Sequence, residues 1–143
     1  DKMKVAIVTL GYEPRIVQST LNKMRPSHDG TEPIPEPVAM ALERVENTDT
    51  SIFIDFYAKW CGACKVMDKT TLVDPKVVKT LVQFHTLKVD ADEFPLATQH
   101  FGIFAMPTYI VLNPSGEEVF RHVGPITAGS LVERLLPLNG DAG

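Results

Sequence analysis

The sequence has only two cysteines among its 143 residues, and they stand two residues apart as Cys61 and Cys64. A disulfide scaffold joins distant segments through several bridges, so the low cysteine content excludes that class of small protein. A count this low also gives no indication of the redox compartment. Any cysteine chemistry must come from this one closely spaced pair.

Long apolar runs and an excess of basic residues are missing as well. The apolar stretch at residues 5–10 is far shorter than the roughly 18 residues that a membrane-spanning helix needs. The formal net charge is −4, so the sequence lacks the basic surface that nucleic acid attracts. An apolar content of 44% is typical of a globular domain with one core. We therefore expect neither membrane insertion of this segment nor a nucleic-acid partner.

Prolines predict a boundary near the start of the chain. Residues 26–37 contain four prolines and a glycine, and proline both removes a backbone donor and favours extended geometry. We predict that residues 1–35 form an N-terminal extension with a proline-rich linker, in which residues 4–10 could add a short strand. The folded domain is predicted to span residues 36–139, followed by a tail at residues 140–143.

Beyond the linker, helical and extended patterns alternate. Apolar residues at helical spacing predict a helix at residues 36–47, and a row of β-formers predicts a strand at residues 51–58 that is buried on both faces. A helix is expected from Cys61, interrupted at Asp74–Pro75 because a residue before proline avoids helical geometry. Further elements are predicted as helices at residues 77–82 and 94–100, strands at residues 86–89, 108–112 and 118–123, and a last helix capped by Thr127.

This order of elements predicts an α/β fold. Alternation in the first part indicates parallel strands with right-handed crossovers. The final hairpin is expected to add an antiparallel strand. The result would be a central mixed β-sheet flanked by helices on both faces.

The cysteine pair lies where the predicted buried strand passes into a helix. The N-terminus of a helix carries free N–H groups and a partial positive charge, and both stabilise a thiolate. Cys61 is therefore the expected nucleophile, with a pKa below the usual value of about 8.5 for a thiol. Cys64, almost one turn further along, is expected to be more buried and to resolve a mixed disulfide formed on Cys61.

Three other interpretations of the pair are open, and each is weaker. A zinc site needs about four ligands, and the histidines show no paired spacing: His28, His85, His100 and His122. A structural disulfide across so short a loop would stabilise the fold little. Inert core thiols fit poorly at a strand–helix turn. We expect no metal and no cofactor other than the redox-active pair.

Three segments resemble motifs of the thioredoxin superfamily, within a region from about residue 38 to residue 138. Residues 53–65 (FIDFYAKWCGACK) resemble the family's strand and active-site turn, residues 105–108 (AMPT) its cis-proline loop, and residues 123–131 (VGPITAGSL) its last strand-to-helix corner. The resemblance implies the thioredoxin fold. It also implies a thiol–disulfide oxidoreductase that acts on protein dithiols and disulfides.

The resemblance assigns roles to residues around the pair. It implies a cis peptide bond between Met106 and Pro107 that faces the cysteines and leaves the Met106 backbone free to pair with a substrate strand. Without the resemblance, a trans-proline opening a strand would be the preferred interpretation. Trp60 is expected on the docking surface, with a core position as its alternative. The resulting partner-binding rim consists of Trp60, Gly62, Ala63, Met106, Pro107 and Gly124.

A carboxylate, Asp55, stands inside the apolar strand, where its burial is costly without a partner or a function. The resemblance implies that Asp55 assists proton transfer to Cys64, with a pKa that burial raises. Lys88 resembles the lysine that lies near this aspartate and would tune it. The alternatives are a solvent-facing carboxylate at a strand edge and a surface lysine at a strand end. Lys65, after Cys64, is interpreted as a solvated helix lysine.

The sequence departs from cytoplasmic thioredoxins, which carry Gly–Pro between the cysteines and a proline in the following helix. Here Gly62–Ala63 and Lys69 stand at those places, and residues 64–81 resemble the C-terminal periplasmic domain of DsbD-type thiol:disulfide interchange proteins. That resemblance implies a reductase or electron-relay domain outside the cytoplasm, with a membrane-embedded electron donor.

Alternatives to this assignment stay open. A freestanding, cytoplasmic thioredoxin-like protein is the alternative for location, and a binding or chaperone module without redox turnover is the alternative for function. We expect a monomer. The direction of electron flow is open, because Ala63 in place of proline leaves the redox potential undetermined.

Overall fold

A computed structural model describes residues 33–138. The predicted strand at residues 4–10 and the predicted tail at residues 140–143 lie outside these residues. The described part contains five helices, four strands and two 3₁₀ turns, in the order α1 (Val38–Val45), β1 (Ile52–Tyr57), α2 (Gly62–Lys69), a 3₁₀ turn (Thr71–Val73), α3 (Pro75–Leu81), β2 (His85–Asp90), α4 (Pro95–His100), β3 (Thr108–Leu112), β4 (Glu118–Val123), α5 (Ala128–Leu135) and a 3₁₀ turn (Leu136–Leu138). No helix within residues 33–138 is long and apolar enough to cross a bilayer.

The elements predicted within residues 33–138 are present, with boundaries that differ by a few residues. The predicted interruption is confirmed, because α2 ends at Lys69 and Asp74 caps α3 by accepting a hydrogen bond from the Lys76 N–H at 2.9 Å. Thr127 caps α5 in the same way, through the N–H of Ser130. Short polar side chains therefore determine where both helices begin.

The strands form one mixed sheet in the order β2-β1-β3-β4. β1 pairs in parallel with β2 and antiparallel with β3, and β3 pairs antiparallel with β4. The mixed sheet is confirmed, but the chain reverses between β2 and β3, before the final hairpin at which we expected it. The six residues of α4 extend only about 9 Å, too short to return the chain to the starting end of the sheet. β3 therefore starts at the end where β2 finishes.

Helices cover both faces of the sheet, as predicted. α1 and α4 cover one face through Val38, Ala41, Val45 and Ala97. α2, α3 and α5 cover the opposite face, which we call the α2 face, through Met67, Val77, Leu131 and Leu135. β1 lies between the two layers and is buried at five consecutive residues, which agrees with the strand predicted to be covered on both faces.

The residues just before α1 contact the folded part. Ile34 is half-buried against the core that α1 covers. The carbonyl of Pro35 accepts hydrogen bonds from the N–H groups of Val38 and Ala39, at 3.1 Å each. The domain limits at residues 36 and 139 stay predictions, and these contacts favour a slightly earlier start.

Candidate active site

The cysteine pair lies at the carboxyl end of β1, where the chain enters α2. Cys61 is the N-cap residue of α2, and its N–H donates to the carbonyl of Ala58 at 3.1 Å. Cys61 and Cys64 are joined by a disulfide, with their Cα atoms 5.3 Å apart. A short turn after the buried strand thus holds both sulfurs at one end of the sheet.

The sulfur of Cys61 lies among the free backbone donors of α2. The Cys64 N–H donates to Cys61 Sγ at 3.0 Å, and Cys61 Sγ lies 3.5 Å from the carbonyl oxygen of Met106. An N–H donor and the positive end of a helix both stabilise a thiolate at this position. The geometry therefore favours Cys61 as the attacking sulfur.

The two cysteines are buried to nearly the same extent, whereas the sequence predicted that Cys64 would be the more buried of the two. Cys61 is 5% exposed and Cys64 is 4% exposed. The two sulfurs are bonded to each other, and Tyr57, Ala63 and Met106 pack around the pair. Cys64 is only marginally more buried than Cys61 in this disulfide, so the difference between the two sulfurs lies in the N-cap geometry.

Met106 and Pro107 come to the cysteines from the start of β3. The peptide bond between them is cis. The pairing of Phe56 with Thr108 brings the residues before β3 to the carboxyl end of β1. Gly124 reaches the same place, because its N–H donates to the carbonyl of Pro107 at 2.8 Å. Its φ of +97° is a conformation that favours glycine.

Trp60 stands out from the surface beside Cys61. Its side chain is 68% exposed, so the core alternative is wrong. The indole Nε1–H donates to Asp92 Oδ2 at 2.7 Å, which fixes the orientation of the ring. Sequence reasoning missed Asp92, because the two residues are brought together only by the fold.

The remaining rim positions leave the surface near the disulfide open. Gly62 is exposed, and a Cβ placed on it would meet no atom within 4 Å. Ala63 is partly buried. Phe104, which sequence reasoning also missed, is 82% exposed two residues before Met106. A large apolar residue just before the cis-proline motif was the signal that could have identified it.

Asp55 is buried on β1, and the solvent-facing alternative is wrong. The residue is 5% exposed, and its Oδ1 atom has no hydrogen-bond partner among the described residues. Burial raises the pKa of Asp55 from the usual 3.8 to about 6. The positive charge of Lys88 partly opposes this rise, and the negative charge of Asp68 adds to it. A carboxyl with this pKa can exchange protons near neutral pH. Its exchange with Cys64 stays a prediction.

Lys88 lies opposite Asp55 in the sheet but bonds to a different carboxylate. Its Nζ is 3.0 Å from Asp68 Oδ2 on α2 and 4.6 Å from the centre of the Tyr57 ring. The side chain is 49% exposed. Lys88 is therefore a partly exposed lysine whose charge still lowers the pKa of Asp55. Lys65 is exposed on α2, in agreement with a solvated helix lysine.

Replacing Lys88 with methionine is expected to raise the pKa of Asp55 above about 6, because the cation that favours the ionised form is removed. The lost ion pair is solvent-exposed, so the free energy of unfolding should fall by less than about 1 kcal/mol. NMR titration of the Asp55 carboxyl carbon measures the shift. Lys65→Met is the matched control, and an unchanged or lower pKa in Lys88→Met would contradict the tuning role.

Possible metal ligands are scattered over the described part of the chain. His85, His100 and His122 lie on β2, α4 and β4. Within residues 33–138, no group of three or more His, Cys, Asp or Glu side chains is placed to hold a metal ion. The zinc interpretation therefore gains no ligands beyond the two cysteines from this part of the structure.

Comparison with known families adds to this geometry. The family model described as Thioredoxin matches residues 41–136. "Thioredoxin Y1, chloroplastic" of Arabidopsis thaliana is 32% identical over 89 residues, which cover 62% of this chain and 50% of that protein. "Thiol:disulfide interchange protein DsbD 1" of Pseudomonas aeruginosa is 31% identical over 107 residues, which cover 71% of this chain and 18% of that protein. The chain thus spans about half of the first relative and under a fifth of the second.

Solved structures with the same fold include members of both groups. The oxidised C-terminal domain of DsbD from Neisseria meningitidis is 27% identical with a TM-score of 0.57, covering 70% of this chain and 88% of that one. A thioredoxin from Thermus thermophilus is 25% identical with a TM-score of 0.60, covering 71% of this chain and 81% of that one. Both likenesses agree with the four-stranded sheet and its flanking helices.

Proposed function

The chain belongs to the thioredoxin family, a family of thiol–disulfide oxidoreductases, and we propose that it is a reductase or electron-relay domain acting through Cys61 and Cys64. The observation that carries the proposal is the N-cap position of Cys61, whose sulfur accepts the Cys64 N–H at 3.0 Å. This arrangement stabilises the thiolate that disulfide exchange requires.

The first step of the proposed reaction is an attack by the Cys61 thiolate on one sulfur of a substrate disulfide. A bond forms between Cys61 Sγ and that sulfur, the substrate S–S bond breaks, and the second substrate sulfur leaves as a thiolate that takes up a proton. The product is a mixed disulfide. No cofactor takes part, because the two cysteines carry both electrons.

The second step releases the substrate. Asp55 takes the proton of Cys64, whose thiolate attacks Cys61 Sγ and breaks the mixed disulfide. The substrate leaves with two more electrons, and the Cys61–Cys64 disulfide that forms corresponds to the state in the structure. A dithiol donor restores the pair through the reverse sequence.

The substrate is proposed to bind across the rim of Trp60, Gly62, Ala63, Met106, Pro107 and Gly124. Its support is the exposure of Trp60 together with the open space above Gly62. A partner chain could pair with the backbone of Met106 while its sulfur approaches Cys61. Phe104 would extend the rim with an apolar contact. The protein would do this as a monomer.

The similarity to the DsbD proteins of Pseudomonas aeruginosa and Haemophilus ducreyi supports a membrane-embedded electron donor and a location outside the cytoplasm. The chloroplast thioredoxin relative indicates that the fold is compatible with other compartments. The reduction potential of the Cys61–Cys64 pair tests the direction of electron flow. A value near the roughly −270 mV of thioredoxin would support a reductase, and one near the roughly −120 mV of a disulfide-forming enzyme would contradict it.

The Cys64→Ser variant tests the mechanism directly. It is expected to accumulate covalent mixed disulfides, because Cys61 still attacks while the resolving thiol is missing. The reduced variant is mixed with oxidised insulin, and adducts are followed by non-reducing electrophoresis and mass spectrometry. The Cys61→Ser/Cys64→Ser double variant is the control without a thiol.

Adducts that form no faster than background would contradict the mechanism. If wild type and double variant bound clients equally and neither turned over, the binding or chaperone alternative would be supported instead.

A further inference from the structure

A row of titratable side chains crosses the α2 face of the sheet. The strand registers pair Lys88 with Asp55, Asp55 with Tyr109, and Tyr109 with His122. Directly paired residues of neighbouring strands project to the same face, so these four form what we call the polar row. The adjacent row on this face holds the apolar residues Phe53, Val111 and Phe120.

The two outer members of the polar row have partners of their own. Lys88 Nζ lies 3.0 Å from Asp68 Oδ2 on α2. On β4, His122 Nε2 lies 3.1 Å from the carbonyl oxygen of Pro125, and its Nδ1 lies 3.5 Å from Arg134 Nη1 on α5. Asp90 lies two residues after Lys88 on the same face of β2, and its Oδ1 accepts hydrogen bonds from the N–H groups of Asp92 and Glu93. α3 contributes the apolar Val77.

The two inner members of the row, Asp55 and Tyr109, are buried and incompletely bonded. Tyr109 is 0% exposed, and its ring stacks on Phe53 with 5.6 Å between the ring centres. Neither Tyr109 Oη nor Asp55 Oδ1 has a hydrogen-bond partner among the described residues. An isolated buried oxygen is costly. The strand register places these two side chains on one face of neighbouring strands.

We propose that Tyr109 is a positioning residue for Asp55, because its hydroxyl holds a buried water molecule that also hydrogen-bonds Asp55 Oδ1. Water can accept from the phenol and donate to the carboxylate at the same time. Asp55 also lines a groove of about 790 Å³ beside α2, α3 and β2, so solvent lies close to the buried carboxyl group. This inference rests on the proposed function, in which Asp55 exchanges a proton with Cys64.

The phenol acts here as a hydrogen-bond donor and keeps its proton. Burial, with the charges of Asp55 and Asp68, raises the pKa of Tyr109 well above its usual value. The bridged hydrogen bond favours the ionised form of Asp55 and opposes the effect of burial. Tyr109 thereby sets the pH range in which Asp55 can accept a proton.

The Tyr109→Phe variant removes only the hydroxyl group. The pKa of Asp55 is expected to rise by about half a unit to one unit, because the ionised carboxylate loses a hydrogen bond. The shift is measured by NMR titration of the Asp55 carboxyl carbon in the oxidised protein, in which the cysteines do not titrate. Tyr57→Phe removes the other tyrosine hydroxyl of the described residues and should leave this pKa unchanged.

An Asp55 pKa that is unchanged or lower in Tyr109→Phe would overturn the proposal. The bridging water can also be tested in the wild-type protein. NMR is expected to show magnetisation transfer from a long-lived water molecule to the Tyr109 ring. Absence of such a water, or a direct bond from the hydroxyl to Asp55, would overturn the bridge. Both measurements are made without substrate, so their failure is distinct from failure of the proposed function, which the Cys61 and Cys64 variants test.

Discussion

Replacing Cys61 with serine is expected to reduce kcat/KM for a protein disulfide by on the order of 10³-fold or more. The substitution removes the sulfur that α2 and the Cys64 N–H stabilise as a thiolate, and a serine hydroxyl cannot take part in disulfide exchange. Reduction of insulin by a dithiol measures the loss. Circular dichroism establishes that the variant remains folded.

The contrast with Cys64→Ser separates the roles of the two sulfurs. In the reduced proteins, Cys64→Ser should be alkylated quickly at Cys61, whose thiolate the N-terminus of α2 stabilises, whereas Cys61→Ser should react slowly at Cys64, which lies inside the helix. Undiminished turnover in Cys61→Ser would rule out Cys61 as the nucleophile. Faster alkylation of Cys64 than of Cys61 would assign the attacking role to Cys64 instead.

Replacing Asp55 with asparagine is expected to make the protein more stable at neutral pH. The pKa of Asp55 is about 6 in the folded protein and 3.8 in its usual state, so the folded state binds this proton more tightly than the unfolded state. The stabilisation that comes from protonated Asp55 is therefore fully present below pH 3.8. It falls as the pH rises towards 6 and is lost above pH 6. The difference corresponds to about 3 kcal/mol, which is the upper limit of the gain in Asp55→Asn.

Denaturant unfolding at pH 4, 6 and 8 measures this effect. The gain of Asp55→Asn over wild type should be small at pH 4 and largest at pH 8. Asp49→Asn, which changes an exposed carboxylate before β1, is the matched control and should follow the wild-type pH profile. A gain that did not depend on pH would contradict the raised pKa.

The same substitution is expected to slow the release of substrate. Asparagine cannot accept the proton of Cys64, so resolution of the mixed disulfide should slow by roughly 10²-fold, the lower end of general acid–base effects. Acid quenching at timed intervals, followed by mass spectrometry of the adduct, measures this step alone. A variant that is more stable but slower would identify Asp55 as a carboxylate kept for function.

Sequence patterns predicted the features that depend on neighbours along the chain. Residues within one helical turn determine where three helices begin. These are α2 after Cys61, α3 after Asp74 and α5 after Thr127. The burial of β1 could also be predicted, because an almost continuous run of β-formers is typical of a strand covered on both faces.

Features that depend on distant residues could not be predicted in this way. Lys88 contacts Asp68 because β2 and α2 come together in space, although the two residues are 20 positions apart. Trp60 and Asp92 are 32 positions apart. The chain reverses direction before β3 because α4 is short. The alternation of helices and strands along the sequence does not account for the length of each helix.

The hydrogen bond between Trp60 and Asp92 has a practical consequence. The chain has one tryptophan, and this bond fixes its indole beside the sulfur that changes oxidation state. When tryptophan is excited selectively over tyrosine, the emission therefore comes from one indole in a constant orientation next to the reaction centre. Oxidation and reduction of the pair can be followed by emission intensity in real time, without attaching a dye to the proposed partner-binding rim.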